Sequence, residues 1–398
     1  MPMLEVQRPL RVLMLAPGIS PHAVRPLKWL LQAGLDVCFF DVNDPGLEKT
    51  PGYTYVKMSR VPFLDTLCSI LGGGIGIFLF CWANKKQLKQ IENTFSPDIV
   101  HVHFVDYRAI VADRLFQCPK VLSLWGSDLN GLFAKFQKWR LKSFVKVYFR
   151  AAKIVVDAES MLEKVRVLTK ERADVVNIHL GVDVELIREK RKKRNFWRKK
   201  INADDDSIVI FSPRRWTHIY GHHIISAAIK TLATLTGNKK IIVVWKKSPG
   251  LPLAKAEDYF SDVMKAQTGA NDKVRNVVLG ELEYDDFVGL LASADILVNF
   301  PTMDAFPVLF LEAAICRIPV VTISHDAYRG TFAEKNYICC EKYEPRALAN
   351  ALYRQICLLG SKELDECLDA AEAAVESCYS QDVFQQRLLE CYSSLHEH

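Results

Sequence analysis

Residues Asn299–Val321, NFPTMDAFPVLFLEAAICRIPVV, decide the fold. They follow the apolar run Ile296-Leu297-Val298, and Pro301 with the turn Asp304-Ala305-Phe306-Pro307 stops that strand. From Val308 the next ten residues, VLFLEAAICR, hold no Gly or Pro and are rich in good helix formers. Pro319 ends them, and Val320-Val321-Thr322-Ile323 is a β-branched run. Strand, loop, helix and strand in that order make a right-handed crossover in a parallel sheet. The start of such a helix offers N–H groups and a positive dipole to an anion. Asp304 lies in the loop and Glu312 about one turn inside the helix, with seven residues between them.

The 398 residues suggest two or three domains, with enough apolar content, 49%, for large cores. The net charge of +6 is mild, but Arg188 to Lys200, REKRKKRNFWRKK, holds most of the excess. That run is either a solvated linker helix or a surface that meets phosphates, such as an anionic membrane. Nucleic acid is not expected as a partner, because no recognisable binding module accompanies it. The 11 cysteines are scattered, mostly inside apolar runs, and form no zinc or disulfide pattern, which argues for a reducing cytosol. The first residues, MPMLEVQRPLRVLMLAP, read as the approach to a first strand and not as a signal peptide. Thr66–Ala83, TLCSILGGGIGIFLFCWA, is uncharged and is followed by Lys85 and Lys86. It reads, in order of preference, as a buried helix, a segment lying in a bilayer interface, or a membrane span. With the basic run it predicts a cytoplasmic protein held peripherally on the cytosolic face of a membrane.

Taken in order, Leu10–Leu15 is a short strand, and Ser20-Pro21-His22 opens a helix through about Leu31 that Gly34 closes. Val37–Val42 is the next strand, so the chain begins as a nucleotide-binding-like half, without a Gly-x-Gly-x-x-Gly turn. His22 is either a helix-cap residue or a hydrogen-bonding group for a sugar or phosphate. Ile99–Phe104 is a strand on which His101 and His103 share a face, as polar groups at the sheet's C-terminal edge. Lys120–Leu129 is a strand whose end carries Trp125-Gly126-Ser127-Asp128. Gly126 permits close approach of a substrate. Asp128 is either a carboxylate in a cleft or a cap on a helix expected over 133–149. Gly181-Val182-Asp183 closes the first domain. The second begins with Ile208–Phe211, has Ser212-Pro213-Arg214-Arg215-Trp216 as its loop, and continues in a helix from Gly221. Strand Ile241–Trp245 leads to Lys246 and Lys247, and Phe384–Leu395 is a final amphipathic helix.

An acid, seven residues and a Glu, with Phe306-Pro307 after the acid and Cys316-x-x-Pro319-Val-Val at the end, resembles the donor-site motif of the family-four retaining glycosyltransferases. Those enzymes usually carry Glu at both ends. Ser20-Pro21-His22, Pro97-Asp98 before the His-Val-His strand, and Gly181-Val182-Asp183 are similar to that family as well. Trp125-Gly126-Ser127-Asp128 looks like its variant in surface-polysaccharide enzymes, without the His that many relatives place there. Relatives also carry an Arg, a Lys five residues later, then Gly. Counting back from Gly221 puts Arg215 on the Arg and Tyr220 in place of the Lys; with a loop one residue longer, Arg214 is the match.

The resemblance implies an α/β chain of the GT-B fold, two doubly wound Rossmann-like domains facing across a cleft. Residues 1–185 would form the acceptor-side domain, with the C-terminal helix 380–398 packing back on it. Residues 186–205 would be a basic linker and 206–379 the donor domain. It implies a retaining, metal-independent hexosyltransferase that moves sugar from a UDP- or GDP-linked donor to a glycan or lipid-linked acceptor. No cofactor is expected. In that picture Arg215 (or Arg214), Lys246, Lys247 and the helix start at Phe306, Pro307, Val308 and Leu309 hold the leaving diphosphate. Glu312 would hold the ribose and Asp304 the transferred sugar. Asp128 would be a catalytic carboxylate in the cleft, alongside Asp304 and Arg215, and Ser20, His22, Trp125 and Gly126 would face the acceptor. The alternative is a donor-binding, catalytically weak subunit or scaffold of a polysaccharide-assembly complex.

Overall fold

A computed structural model describes residues 8–17, 20–41, 53–57, 83–104, 107–130, 145–247, 253–266 and 273–396. The chain divides into two compact units, Met1–Leu180 with Phe384–His398, and Gly181–Val383.

The first unit is built on β1 (Arg11–Ala16), α1 (Pro21–Gln32), β2 (Asp36–Asp41), β3 (Thr54–Lys57), α2 (Lys85–Phe95), β4 (Ile99–His103), α3 (Tyr107–Leu115), β5 (Lys120–Ser123), α4 (Ser127–Asn130), β6 (Lys153–Val156), α5 (Glu159–Thr169) and β7 (Val175–Asn177). Its seven strands are parallel, in the order β3-β2-β1-β4-β5-β6-β7. Every residue of β4 is buried, as expected for a parallel strand covered on both faces. The strand order reverses between β1 and β4, the place where open sheets of this kind take ligands at their C-terminal ends.

The second unit holds α6 (Val184–Arg191), α7 (Arg194–Lys200), β8 (Ile208–Ser212), α8 (His222–Leu235), β9 (Ile241–Lys246), α9 (Leu253–Ala266), β10 (Val274–Leu279), α10 (Tyr284–Ser293), β11 (Ile296–Asn299), α11 (Val308–Ile315), β12 (Val320–Ile323), α12 (Phe332–Asn336), β13 (Ile338–Cys340), α13 (Pro345–Leu358) and α14 (Lys362–Cys378). Its six strands are also parallel, β10-β9-β8-β11-β12-β13, with the reversal between β8 and β11. Trp216, Trp245 and Phe300 lie in its core. The strand–loop–helix–strand expected from Asn299–Val321 is β11, α11 and β12.

The last helix, α15 (Gln381–His396), starts three residues before the predicted Phe384. It packs on the first unit. The Phe384 ring meets Trp29 at 5.3 Å, Gln385 Nε2 donates to the Trp29 carbonyl at 3.0 Å, and the Tyr392 hydroxyl meets His101 Nδ1 at 2.6 Å.

Residues 186–205 differ from the expected linker. Most of their basic side chains are spent inside the second unit. Arg188 pairs with Glu372 at 3.0 Å and Lys190 with Asp285 at 2.8 Å. Arg194 and Arg198 both grip Asp295, and Arg198 also donates to the carbonyls of Ser293, Asp204 and Ser207. Trp197 is fully buried against Gly289, where a Cβ would lie 2.8 Å from the indole. The spacing of Trp197 and Arg198 within the charged run was the unread sign that this segment packs. Gly181 also falls in the second unit. Val182 bridges to Ser380, and a Cβ on Gly181 would lie 2.4 Å from the Ser380 carbonyl, so the turn admits only Gly. Residues 66–82 and 131–144, which carry the apolar segment and most of the helix expected over 133–149, lie outside the described residues. No helix among the described residues is long and apolar enough to cross a membrane.

Candidate functional site

In the second unit, β8 and β11 end side by side at the reversal, and each hands its loop to a helix. Neither α8 nor α11 has a side-chain cap or an acidic residue in its first turn. Both therefore present bare N–H groups and positive dipole ends. Between them Arg214 Nη2 donates to Asp304 Oδ1 at 2.9 Å. The two side chains are 19% and 8% exposed, so this pair is partly desolvated and tightly held. Asp304 Oδ2 accepts from the Tyr328 hydroxyl at 2.9 Å and from Asn299 Nδ2 at 3.3 Å. The Asp304 N–H donates to His325 Nε2 at 3.2 Å. The Arg214 guanidinium lies 4.1 Å over the Tyr220 ring, and its Nε is buried without a hydrogen-bond partner among the described residues. Burial works against the Arg214 charge, but Asp304 and the phenols of Tyr220 and Tyr328 hold its pKa above the ordinary value.

Arg215, the first choice from counting back, is exposed, and its side chain takes no part in the Asp304 network. Arg214, the alternative match, is the residue that meets the acid. Tyr220, in the place of the expected Lys, serves as the surface on which Arg214 lies. Lys246, at the end of β9, has its pKa lowered by burial; Arg215 adds to the lowering and Glu281 opposes it. Two cations set close enough to repel make a place where an anion is favoured. Lys247 leans the other way, toward Glu257 at 3.4 Å. Phe306 is buried in an aromatic cluster with Tyr379, Phe332 and Phe310, so it anchors the loop and is not a lining group. Pro307 is the N-cap of α11; Val308 is half-buried and Leu309 buried. Glu312 is buried on α11 and is not among the partners of Asp304.

In the first unit the corresponding place is aromatic, with the buried Arg108 and the Asp128 carboxylate beside the rings. His22, at the start of α1, stacks on Trp125 at 4.9 Å, and His103, the last residue of β4, stacks on the same indole at 6.0 Å. Phe104 completes the group with a left-handed backbone (φ 62°). Burial, helped by His101 and Arg108, drives the His103 pKa well below its ordinary value, and burial takes His101 to about 3. Both imidazoles are therefore neutral at neutral pH. Trp125 Nε1 and the Tyr148 hydroxyl are buried without hydrogen-bond partners among the described residues. Gly126 has φ 101°, which explains the Gly. Ser20 is at the N-cap position of α1 without a side-chain cap bond. Asp128 does not fit the expected catalytic carboxylate. Its oxygens accept the Trp125 N–H at 3.0 and 3.2 Å and the Leu129 N–H at 3.1 Å, so it fastens the turn that presents Trp125.

Asn299, His325 and Tyr328 were missed from the sequence. Their signal was positional: Asn299 ends β11, and the other two follow the end of β12, the neighbouring strand.

Residues 11–160 match the family model described as glycosyl transferase 4-like, and residues 193–375 match that of glycosyl transferases group 1. A Bacillus subtilis (strain 168) protein described as a teichuronic acid biosynthesis glycosyltransferase, TuaC, is 23% identical over 272 residues. That match takes in 68% of this chain and 63%, less than two thirds, of the relative. Among solved structures, sucrose-phosphate synthase from Thermosynechococcus elongatus has a TM-score of 0.80 at 15% identity, over 97% of this chain and 99% of that one. Anabaena HepE in complex with UDP has a TM-score of 0.71 at 16% identity, over 97% and 100%. The two sheets, the loops at their reversals and the two matched segments agree: the chain is a GT-B protein of the glycosyltransferase family, with a glycosyltransferase 4-like domain followed by a group 1 glycosyltransferase domain.

Proposed function

We propose that the protein transfers a hexosyl group from a nucleoside-diphosphate sugar to a glycan or lipid-linked acceptor, with retention and without a divalent metal. The observation that carries this reading is the Arg214–Asp304 pair across the reversal of the second sheet, between two uncapped helix starts. Arg214 takes the diphosphate through its planar fork, and Lys246, Arg215 and the start of α11 add positive potential. Charge developing on the leaving diphosphate is then met by groups already in place, the largest catalytic term in such a site. Glu312 takes the ribose hydroxyls. HepE, of the same fold, has been solved with UDP and with UDP-glucose, which favours UDP as the first donor to try.

Release of nucleoside diphosphate from UDP- and GDP-sugars, with and without EDTA, tests the reading. Slow release that survives EDTA, with the anomeric configuration kept when an acceptor sugar is supplied, is the expected result. Absence of both binding and release overturns it. Donor binding without release, in a protein whose Arg214 lies on Tyr220 in place of a Lys, would instead favour the scaffold reading. Glu312→Ala should weaken nucleoside-diphosphate affinity by about 1.5–3 kcal/mol, the usual loss for a charge-assisted hydrogen bond. Unchanged affinity by calorimetry in the folded variant would remove Glu312 from the site.

A further inference from the structure

We propose that Tyr328 is a positioning residue for Arg214, acting through Asp304; the inference rests on the donor-site reading above and sharpens it. The two oxygens of Asp304 are divided between unlike partners. Oδ2 accepts from the Tyr328 hydroxyl at 2.9 Å and the Asn299 amide at 3.3 Å. Asn299 Nδ2 also reaches the Tyr328 oxygen at 3.2 Å. Oδ1 accepts from Arg214 at 2.9 Å. The uncharged side of this clamp is rigid. Asn299 is fully buried at the end of β11, and Tyr328 is buried after β12 with its ring 5.0 Å from Phe310. The charged side is a long arm on a loop. A carboxylate held by two fixed donors has one oxygen left to aim, and that oxygen sets where the guanidinium stands.

The Asp304 carboxylate takes Nη2 only, and Arg214 Nε remains buried without a partner among the described residues. Arg carries five donor hydrogens in one plane, so a fork anchored at one corner presents its other edge in a fixed direction. Asp304 thus acts as the anchor of the phosphate-binding Arg, a role beside the sugar contact expected of it from sequence. Tyr328 and Asn299 keep that anchor from turning. Losing the Tyr328 hydroxyl should cost affinity for the diphosphate and leave recognition of the nucleoside unchanged. A general loosening of the core would weaken both.

Calorimetry with UDP and GDP, against uridine and guanosine as phosphate-free controls, reads this directly. Arg214→Ala should weaken the bound nucleoside diphosphate about thirtyfold and Tyr328→Phe about fivefold, from the range for charged and neutral hydrogen bonds. Neither should change nucleoside affinity. Arg214→Ala with Tyr328→Phe should be no weaker than Arg214→Ala alone, because Tyr328 acts only through the Arg. Should Tyr328→Phe fail to fold, Asp304→Asn carries the same comparison, with the same expected lack of additivity. Independent, multiplying losses, or equal losses for nucleoside and nucleoside diphosphate, overturn the inference. If the wild-type protein binds neither diphosphate, the donor reading itself falls. If it binds one and Arg214→Ala weakens it while Tyr328→Phe matches wild type, only the positioning role falls.

Discussion

The two units repeat one fold and fill the same place in it with different chemistry. Where the first sheet reverses, His22, His103, Phe104 and Trp125 form a group of stacked rings. Where the second reverses, Arg214 and Asp304 form an ion pair with Lys246 nearby. Strand order alone makes both places ligand sites. The side chains decide which ligand. Rings offer faces to the C–H side of a sugar and donors at their rims, whereas a guanidinium fork between helix starts suits a diphosphate. The difference teaches that in this chain the fold gives the address and the residues at the strand ends give the chemistry.

The largest effect should come from breaking the charged side. Arg214→Ala removes the diphosphate contact and leaves the Asp304 carboxylate buried without its cation. Transfer should fall by about a hundredfold, roughly 2.7 kcal/mol in barrier, and stability by about 3 kcal/mol. Arg215→Ala should change donor turnover by less than about threefold, as befits an exposed cation. Steady-state kinetics on the two variants check this, and equal effects would return the diphosphate to Arg215.

That contrast shows what the sequence made legible. The crossover Asn299–Val321, Asp304 and Glu312 could be read from residue type and spacing, because strand, loop and helix have different periods. The choice between Arg214 and Arg215 could not, since it depends on the loop's path around Gly221, whose φ is 63° and whose Cβ would meet the Phe300 carbonyl at 2.3 Å. The fate of 186–205 was hidden for another reason. A basic run looks solvated until its partners, Asp285, Asp295 and Glu372, are brought from far along the chain. Asp128 was ambiguous because the same carboxylate serves a cleft or a turn, and only the Trp125 N–H decides.

Acid should separate the units next. Burial lowers His101 to about 3 and His179 to about 4, and pushes His103 well down; in the second unit burial lowers His222 to about 4. Each folded pKa is depressed, so the unfolded chain binds the extra proton. Stability is full above the ordinary value of 6.5 and is lost as pH falls from there toward 3 or 4. Each such imidazole costs about 1.4 kcal/mol per pH unit inside that window. With more of them, the first unit should open first. Hydrogen exchange by peptide between pH 7 and pH 5 measures it, and simultaneous opening would contradict the expectation.

On the aromatic side, Trp125→Ala should raise the acceptor KM about fivefold and leave donor affinity unchanged, since a stacked ring contributes about 1 kcal/mol. Donor affinity falling with it would mean that Trp125 does not mark a separate site.

The smallest effect expected is none, and it concerns the membrane. Two features were read as signals for attachment, residues 66–83 and the basic run. Most of the run is now accounted for inside the second unit: Arg188, Lys190, Arg191, Arg194 and Arg198 are paired, and Lys200 lies 4.2 Å over Trp197. Lys192 and Lys199 are the exposed remainder without ion pairs among the described residues. A basic cluster attracts anionic lipid by about 1 kcal/mol for each Lys or Arg whose charge faces the surface. A charge already matched by Glu372 or Asp295 adds little to that. Lys192→Ser with Lys199→Ser should therefore float on anionic vesicles to the same extent as wild type at low salt. If wild type floats, the attachment then belongs to 66–83 and persists as salt rises. A marked loss in the double variant, or flotation abolished by salt, would show that the run meets the membrane in spite of its internal partners.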